Sequence, residues 1–462
     1  MKPKYFLALG LLVLGLGSCG ESFFEQYPSN NITEGNFYKT DDDFNQGVAA
    51  CYYKLKTQMS FHLTEIGYRG DENVLESMAV STQNRYDIDH FAETANNGIL
   101  NDIWDAWYNG IYRCNDVLDH LAGAKIANYD KYRGECLFLR SWWYFNLYRV
   151  FGVVPIARTV VAPAAAKLIP RCTEEEMYTL LTEDLSEAAR LLPSTPGSEK
   201  ARVANIAAYT LLAKVYLTFG KPAEAKTVLE EAMKNPNYGL VNTTADAFNV
   251  KNKFNKEIIF ALYYNKTNDN GHGYWYSANT DVLADINNPT PTFKAIYDSE
   301  KDNRLPLISS YTKIKDNLFA MTKWYDTYDA TYTTQVGNDF PHLRYADVVL
   351  MYAEALAESG GSLGDALEWL NKTRTRAGLD ELTTDEVKSL AEFRRELAAE
   401  RGREFALEGH RWFDLVRLGL AVDYFREMGY SLDSHNLIFP IPQSQIEIVN
   451  NPSILWQNPG FN

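Results

Sequence analysis

Apolar positions recur every three or four residues along most of this chain, the period of an amphipathic helix. Phe44, Val48, Cys51, Tyr52 and Leu55 form one such stripe, opened by Thr40-Asp41-Asp42-Asp43, an N-cap with acids in the first turn. Ile103, Trp107, Ile111, Cys114, Leu118 and Leu121 form another. Residues 209–236 carry a denser signal. Tyr209, Leu212, Ala213 and Tyr216 precede Gly220, then Ala225, Leu229 and Ala232 precede Pro236. Small residues let two antiparallel helices approach closely, a glycine breaks the first and a proline ends the second. The pattern resembles a tetratricopeptide repeat. A second copy runs through Ala353, Leu356, Gly360, Ala366 and Leu370. A third is split, with Arg140–Gly152 as one helix and Glu174–Pro193 as the other.

Between about Val241 and Phe340 the period fades into Asn, Thr, Asp, Tyr and Gly. Only Glu257–Tyr264 looks strand-like and Thr292–Tyr297 helical. Residues 60–100 share this character. Long irregular stretches in a folded chain are usually functional, so both are expected to form a loop-built face over a helical scaffold.

The first residues differ from everything after them. Lys2 and Lys4 precede an apolar run, Phe6–Leu16, too short to span a bilayer, followed by Leu16-Gly17-Ser18-Cys19. This looks like the lipobox of bacterial lipoproteins. It implies a signal peptide over 1–18 and a mature chain beginning at a lipidated Cys19. Two or more acyl chains on one residue make a lasting tether. Without the leader lysines, 43 of the 45 basic residues face 60 acidic ones, a formal charge of −17. That argues against nucleic acid and against docking on anionic lipid. Cys51, Cys114, Cys136 and Cys172 are widely spaced and read as buried thiols, with one or two disulfides open to them in an oxidising compartment.

Catalytic and metal motifs fail on inspection. The stretch 395–414 is the most charged, with Glu400, Glu404 and Glu408 on one helix face beside Arg401, Arg403 and Arg411. Paired acids can hydrolyse glycosides, but guanidinium partners keep a carboxyl ionised and unfit as a general acid. This block is expected to be a salt-bridged helix junction ending at Gly409. The histidines never pair at HxxxH spacing. Asp41-x-Asp43-x-Asn45 starts like a calcium loop but has Gln46 and Tyr52 where Gly and Glu belong. No metal or cofactor is expected.

Aromatic loops are the functional signal. Tyr274, Trp275 and Tyr276 sit in a Gly/Asn setting, and Trp324, Tyr325, Tyr328 and Tyr332 in a second cluster. Tyr68, Arg69, Asp71 and Asn73 occupy a third, with Arg85 and Tyr86 downstream. Sugar rings offer C–H faces to aromatic rings and hydroxyls to amides, carboxylates and Arg. The expected ligand residues are therefore Tyr68, Arg69, Asp71, Asn73, Tyr86, Tyr274, Trp275, Tyr276, Trp324, Tyr325 and Tyr328, with at least one of Trp275 and Trp324 facing the ligand. The same loops would suit peptides. Trp104, Trp107, Trp142 and Trp143 lie on periodic helices and are expected in the core.

Blocks along the whole chain carry a family resemblance. They include NITEGNFYKTDDDF (31–44), NDIWDAWYNGIYRCNDVL (101–118), GECLFLRSWWYFNLYRVFGVVP (134–155), LRYADVVLMYAEAL (343–356), ERGREFALEGHRWFDLVRLG (400–419) and NPSILWQNPGF (451–461). In this order they resemble the SusD/RagB family of outer-membrane nutrient-binding lipoproteins. The resemblance implies a mainly α fold with about four tetratricopeptide-like helix pairs and an irregular ligand-binding face. The expected organisation is a signal peptide (1–18), an N-terminal helical region (19–240), and a C-terminal region (241–462) that is loop-rich to 340 and helical beyond, packed as one body. It further implies a surface-exposed outer-membrane lipoprotein that captures glycans for a SusC-like TonB-dependent transporter, without catalysis. Peptide capture, as in the RagB branch, and a non-catalytic scaffold are the alternatives, with an enzyme a distant third.

Overall fold

The computed structural model describes residues 37–72, 83–265, 277–279, 289–315, 318–326 and 337–461. Helix α1 (Asp41–Gly67) starts where its cap predicts: Thr40 Oγ1 accepts from the Asp43 amide, and the Asp43 carboxylate accepts from the Thr40 amide. It packs on α3 (Gly98–Leu121), with the short α2 (Gln83–Asp89) between them in sequence. Helix α4 (Tyr129–Phe151) pairs with α5 (Glu174–Leu191), α6 (Asn205–Thr218) with α7 (Pro222–Met233), and α8 (Tyr345–Glu358) with α9 (Leu363–Arg376). These are the three repeats read from the sequence, and Gly220 and Gly360 turn the chain between paired helices at φ +67° and +82°. Helix α5 wraps back on α6, and α7 packs on α8, so the pairs stack in series. The fold is mainly α with tetratricopeptide-like packing.

Helix α4 is buried on nearly every side, its polar Glu135, Arg140 and Asn146 included, and is the spine of the fold, with Trp142 and Trp143 in the core as expected, beside Trp104 and Trp107 of α3. The close approach of α3 and α4 depends on Gly110. A Cβ there would fall on the Trp143 indole, well inside contact distance. Gly110→Ala is expected to cost about 1–3 kcal/mol by overpacking, read as a lower urea midpoint at unchanged slope. An unchanged midpoint would mean that the indole yields freely. The four described cysteines are buried and free, so they are thiols, as the sequence suggested, and form no disulfide.

The irregular region holds more strand than the sequence showed. Strand β1 (Ile258–Leu262) pairs antiparallel with β5 (Phe340–Arg344), and β2 (Ser277–Asn279), β4 (Leu318–Met321) and β3 (Tyr311–Lys315) form a second sheet in the order β2-β4-β3. Strand β1 lies within the run read as strand-like, whereas a register shift in β3 breaks the alternation that would have betrayed it. The helix expected at Thr292–Tyr297 is one turn, Pro291–Lys294. Helix α10 (Leu390–Glu404) ends before Gly409, because Leu407 takes a left-handed φ of +63° in a turn that leads to α11 (Arg411–Arg417).

Candidate functional site

The charged block is the floor of the site. On α10 and the turn after it, Glu400, Glu404 and Glu408 are all buried, and arginines from distant segments reach them. Arg304 donates to Glu400 at 2.7 Å and to Glu404 at 3.1 Å. Arg344, at the end of β5, donates to Glu404 at 2.9 Å, to both oxygens of Glu408 at 2.8 Å, and to Glu257 at 2.6 Å. Arg376 of α9 bridges Glu257 and Glu404 at 2.7 and 2.5 Å. Burial alone would raise the Glu404 carboxyl, but Arg376, Arg344 and Arg304 outweigh it and hold it far below the ordinary range. The block is the salt-bridged junction expected from the sequence, and Glu404 has no proton to give at neutral pH.

The predicted ligand loops take root on this floor. At the end of α1, the Asp71 carboxylate accepts from Arg411 at 2.9 and 3.3 Å and from the Tyr424 hydroxyl, while its carbonyl accepts from Thr290 Oγ1 at 2.8 Å. Glu72 accepts from the Leu407 amide at 3.1 Å, and burial pushes its carboxyl up to about 8. From the other side Lys323 donates to the Ala406 carbonyl at 2.5 Å and to Glu408 at 2.8 Å. The Tyr297 hydroxyl donates to the Arg403 carbonyl at 3.1 Å, so segments 66–72, 289–297 and 322–326 meet on residues 403–411. The outer ends are clamped as well. The Gly337 amide donates to Asp326 at 3.1 Å, and Asp339 binds both the Tyr264 amide and Lys253, at 2.9 and 2.7 Å.

This geometry corrects several expected ligand residues. Arg69 is fully buried. It pairs with Glu93, donates to the Asn436 carbonyl at 2.8 Å and lies among the rings of Phe439, Phe91 and Trp412 at 4.2–5.3 Å. Tyr68 and Asp71 are 2 % exposed. Trp324 is 1 % exposed, packed on Phe248 at 5.3 Å and on Phe340 at 6.1 Å. These four side chains hold the loop roots together rather than face solvent, because their partners remove them from water. Tyr86 and Tyr325 are half-buried and retain an open side, and Tyr86 stacks on the exposed His90 at 3.8 Å. Asn73, Tyr274, Trp275, Tyr276 and Tyr328 lie outside the described residues, as does Cys19. No cluster that could hold a metal occurs among the described residues. Asp41 binds Asn128 and Tyr132, and Asp43 caps α1, so the calcium-like spacing serves local structure.

Comparison with known proteins agrees with this architecture. Residues 299–461 match the model of the SusD family, and residues 28–217 match a family described as starch-binding associating with outer membrane. A SusD-like protein of Formosa agariphila is 25% identical over 99% of this chain and 100% of its own length. A SusD superfamily protein from Bacteroides vulgatus superposes with a TM-score of 0.77 at 24% identity, covering 92% of this chain and 100% of that one. The surface glycan-binding protein A from Bacteroides thetaiotaomicron, solved in complex with laminarihexaose, has a TM-score of 0.74 at 22% identity, covering 91% and 99%. The stacked helix pairs define a helical, repeat-based fold. The chain belongs to the SusD/RagB family.

Proposed function

We propose that this protein is a cell-surface lipoprotein that captures glycans and passes them to a TonB-dependent outer-membrane transporter. The observation that carries the reading is the end-to-end likeness to SusD-like proteins, one of which is a surface glycan-binding protein solved with laminarihexaose. The site geometry supports it. A salt-bridged floor fixes the roots of three loops, and rigid roots lower the entropy cost of presenting aromatic side chains. Tyr274, Trp275, Tyr276 and Tyr328, with Tyr86 and Tyr325, are the ligand residues proposed on that frame. The acids of the floor are ion-paired or buried, a poor arrangement for glycoside hydrolysis and a good one for rigidity. The lipobox motif and the outer-membrane association by which one matching family is described support a tether through Cys19. Holding the binder beside a pore raises the effective concentration of captured ligand.

Calorimetry against laminarihexaose, other glycan fragments and a mixed peptide digest tests the reading. Trp275→Ala is expected to weaken glycan binding about tenfold or more, as loss of one stacking ring does. Binding of the peptides alone would replace glycan capture with peptide capture. Co-purification of the mature protein with a barrel transporter, lost for Cys19→Ala, tests the partner and the tether.

A further inference from the structure

A cavity of about 530 Å³ opens between α4, α6 and α11, with walls that are not the loop roots described above. Its volume lies within the usual range for small-molecule sites, roughly 300–1,000 Å³. One part of the wall is apolar, with Phe413, Leu437 and Ile438, and another carries Arg149, Arg171 and Lys214.

The charges of that wall do not cancel. Lys214 is paired with Asp347 at 2.5 Å, and Arg417 with Asp414 at 2.9 Å and with Glu354. Asp414 is further occupied by Arg401 at 2.8 Å. Arg171, by contrast, spends its N–H groups on neutral acceptors: the carbonyls of Val153, Trp456 and Phe151 and the Asn458 side chain, at 2.7–3.4 Å. Arg149 donates to the Asn146 side chain, and its guanidinium lies over Phe413 at 3.9 Å and Phe145 at 4.8 Å. Its Nε is buried without a hydrogen-bond partner among the described residues. Neither arginine has a carboxylate at pairing distance among the described residues. Asp414 and Asp347 attract Arg149 only from farther off. Glu174 also lines the cavity, but it is exposed to water, which screens it.

We propose that this cavity binds a small organic carboxylate, whose anionic group pairs with the Arg149 guanidinium and whose body rests on Phe413, Leu437 and Ile438. A planar guanidinium already stacked on a ring is pre-organised for a carboxylate, and a lysine would not match that fork. Arg171, satisfied but uncompensated, adds positive potential without competing for the same oxygens. Burial drives the Arg149 guanidinium down to about 9 and that of Arg171 to about 10, so a bound anion would relieve a standing desolvation cost. The carboxylate could belong to a sugar acid or to the free end of a peptide. Both present the same chemistry to Arg149.

The test is titration of the mature protein with glucuronate, N-acetylalanine and glucose, followed by the methyl NMR signals of Ile438 and Leu437. One or both carboxylates should shift those signals at millimolar concentration, and glucose should not. A response to glucuronate alone assigns a sugar acid, and to N-acetylalanine alone a peptide terminus. Arg149→Gln should weaken the response about tenfold or more. Ile438→Trp, which fills the cavity and leaves Arg149 in place, should abolish it should the first variant not fold. No shift from either carboxylate at about 10 mM, an equal response to glucose, or parental affinity in both variants would overturn the proposal.

Discussion

Arg344→Met will destabilise the fold by about 3–5 kcal/mol, far more than loss of its methylene packing would cost. One guanidinium serves three carboxylates, Glu257, Glu404 and Glu408, and all four side chains are almost wholly removed from water. Removing the cation leaves acids that keep only Arg304, Arg376 and Lys323. Uncompensated buried charge is among the costliest single changes a fold can suffer. The size of the loss follows from where the network sits, since it joins β5, α9 and α10 to the segment before the short helix Leu305–Ser309. The double variant Arg344→Met/Glu404→Gln should recover part of the loss, because it deletes one of the stranded charges. Urea unfolding of the single and double variants measures both effects. A single-variant loss under about 1 kcal/mol would show that water reaches the network and screens it.

The same network shows what the sequence made legible and what it hid. The i, i+4 acids on α10 and the arginines beside them announced a salt-bridged helix, because that pairing is local. Arg304, Arg344, Arg376 and Glu257 could not be assigned to it, since nothing local marks an arginine 28 to 100 positions away as a partner of Glu404, or Glu257 as a partner of Arg344 and Arg376. The repeat helices were legible for the first reason, as their period and turn glycines are local. The misplacement of Arg69, Asp71 and Trp324 follows from the second. A Gly-containing turn rich in polar and aromatic residues reads as exposed, and only Glu93, Arg411, Phe248 and Phe340 make it a buried root. Strand β3 escaped because its register shift erases the two-residue period.

Buried carboxyls of two kinds should give the protein a stability maximum near about pH 5. Glu404, Asp414 and Asp347 are raised by burial but lowered further by their cations: Arg376, Arg344 and Arg304 for the first, Arg401 and Arg417 for the second, Lys214 and Arg401 for the third. Their contribution is complete above the pKa of an unfolded carboxyl, about 4, and is lost as the pH falls below it, since the unfolded chain takes up protons that the fold refuses. Glu72, Glu65 and Glu135 behave oppositely. Burial raises them to about 8, 7 and 7, against attraction from Arg85 at Glu65 and from Arg202 at Glu135. Their contribution is complete below the unfolded pKa and is lost as the pH rises through 7 to 8, where the fold must ionise an acid it has kept neutral. Each pH unit between the unfolded and folded values costs about 1.4 kcal/mol per group. Glu72→Gln isolates one of them, since the amide keeps an acceptor for the Leu407 amide and cannot ionise. Its stability should match the parent near pH 4 and exceed it by a few kcal/mol near pH 9, on the order expected for a carboxyl raised by several pH units. Chemical denaturation at pH 4, 6 and 9 decides it. Parallel curves for variant and parent would mean that Glu72 is ionised in the fold at neutral pH, with water or Arg411 supplying the charge it lacks.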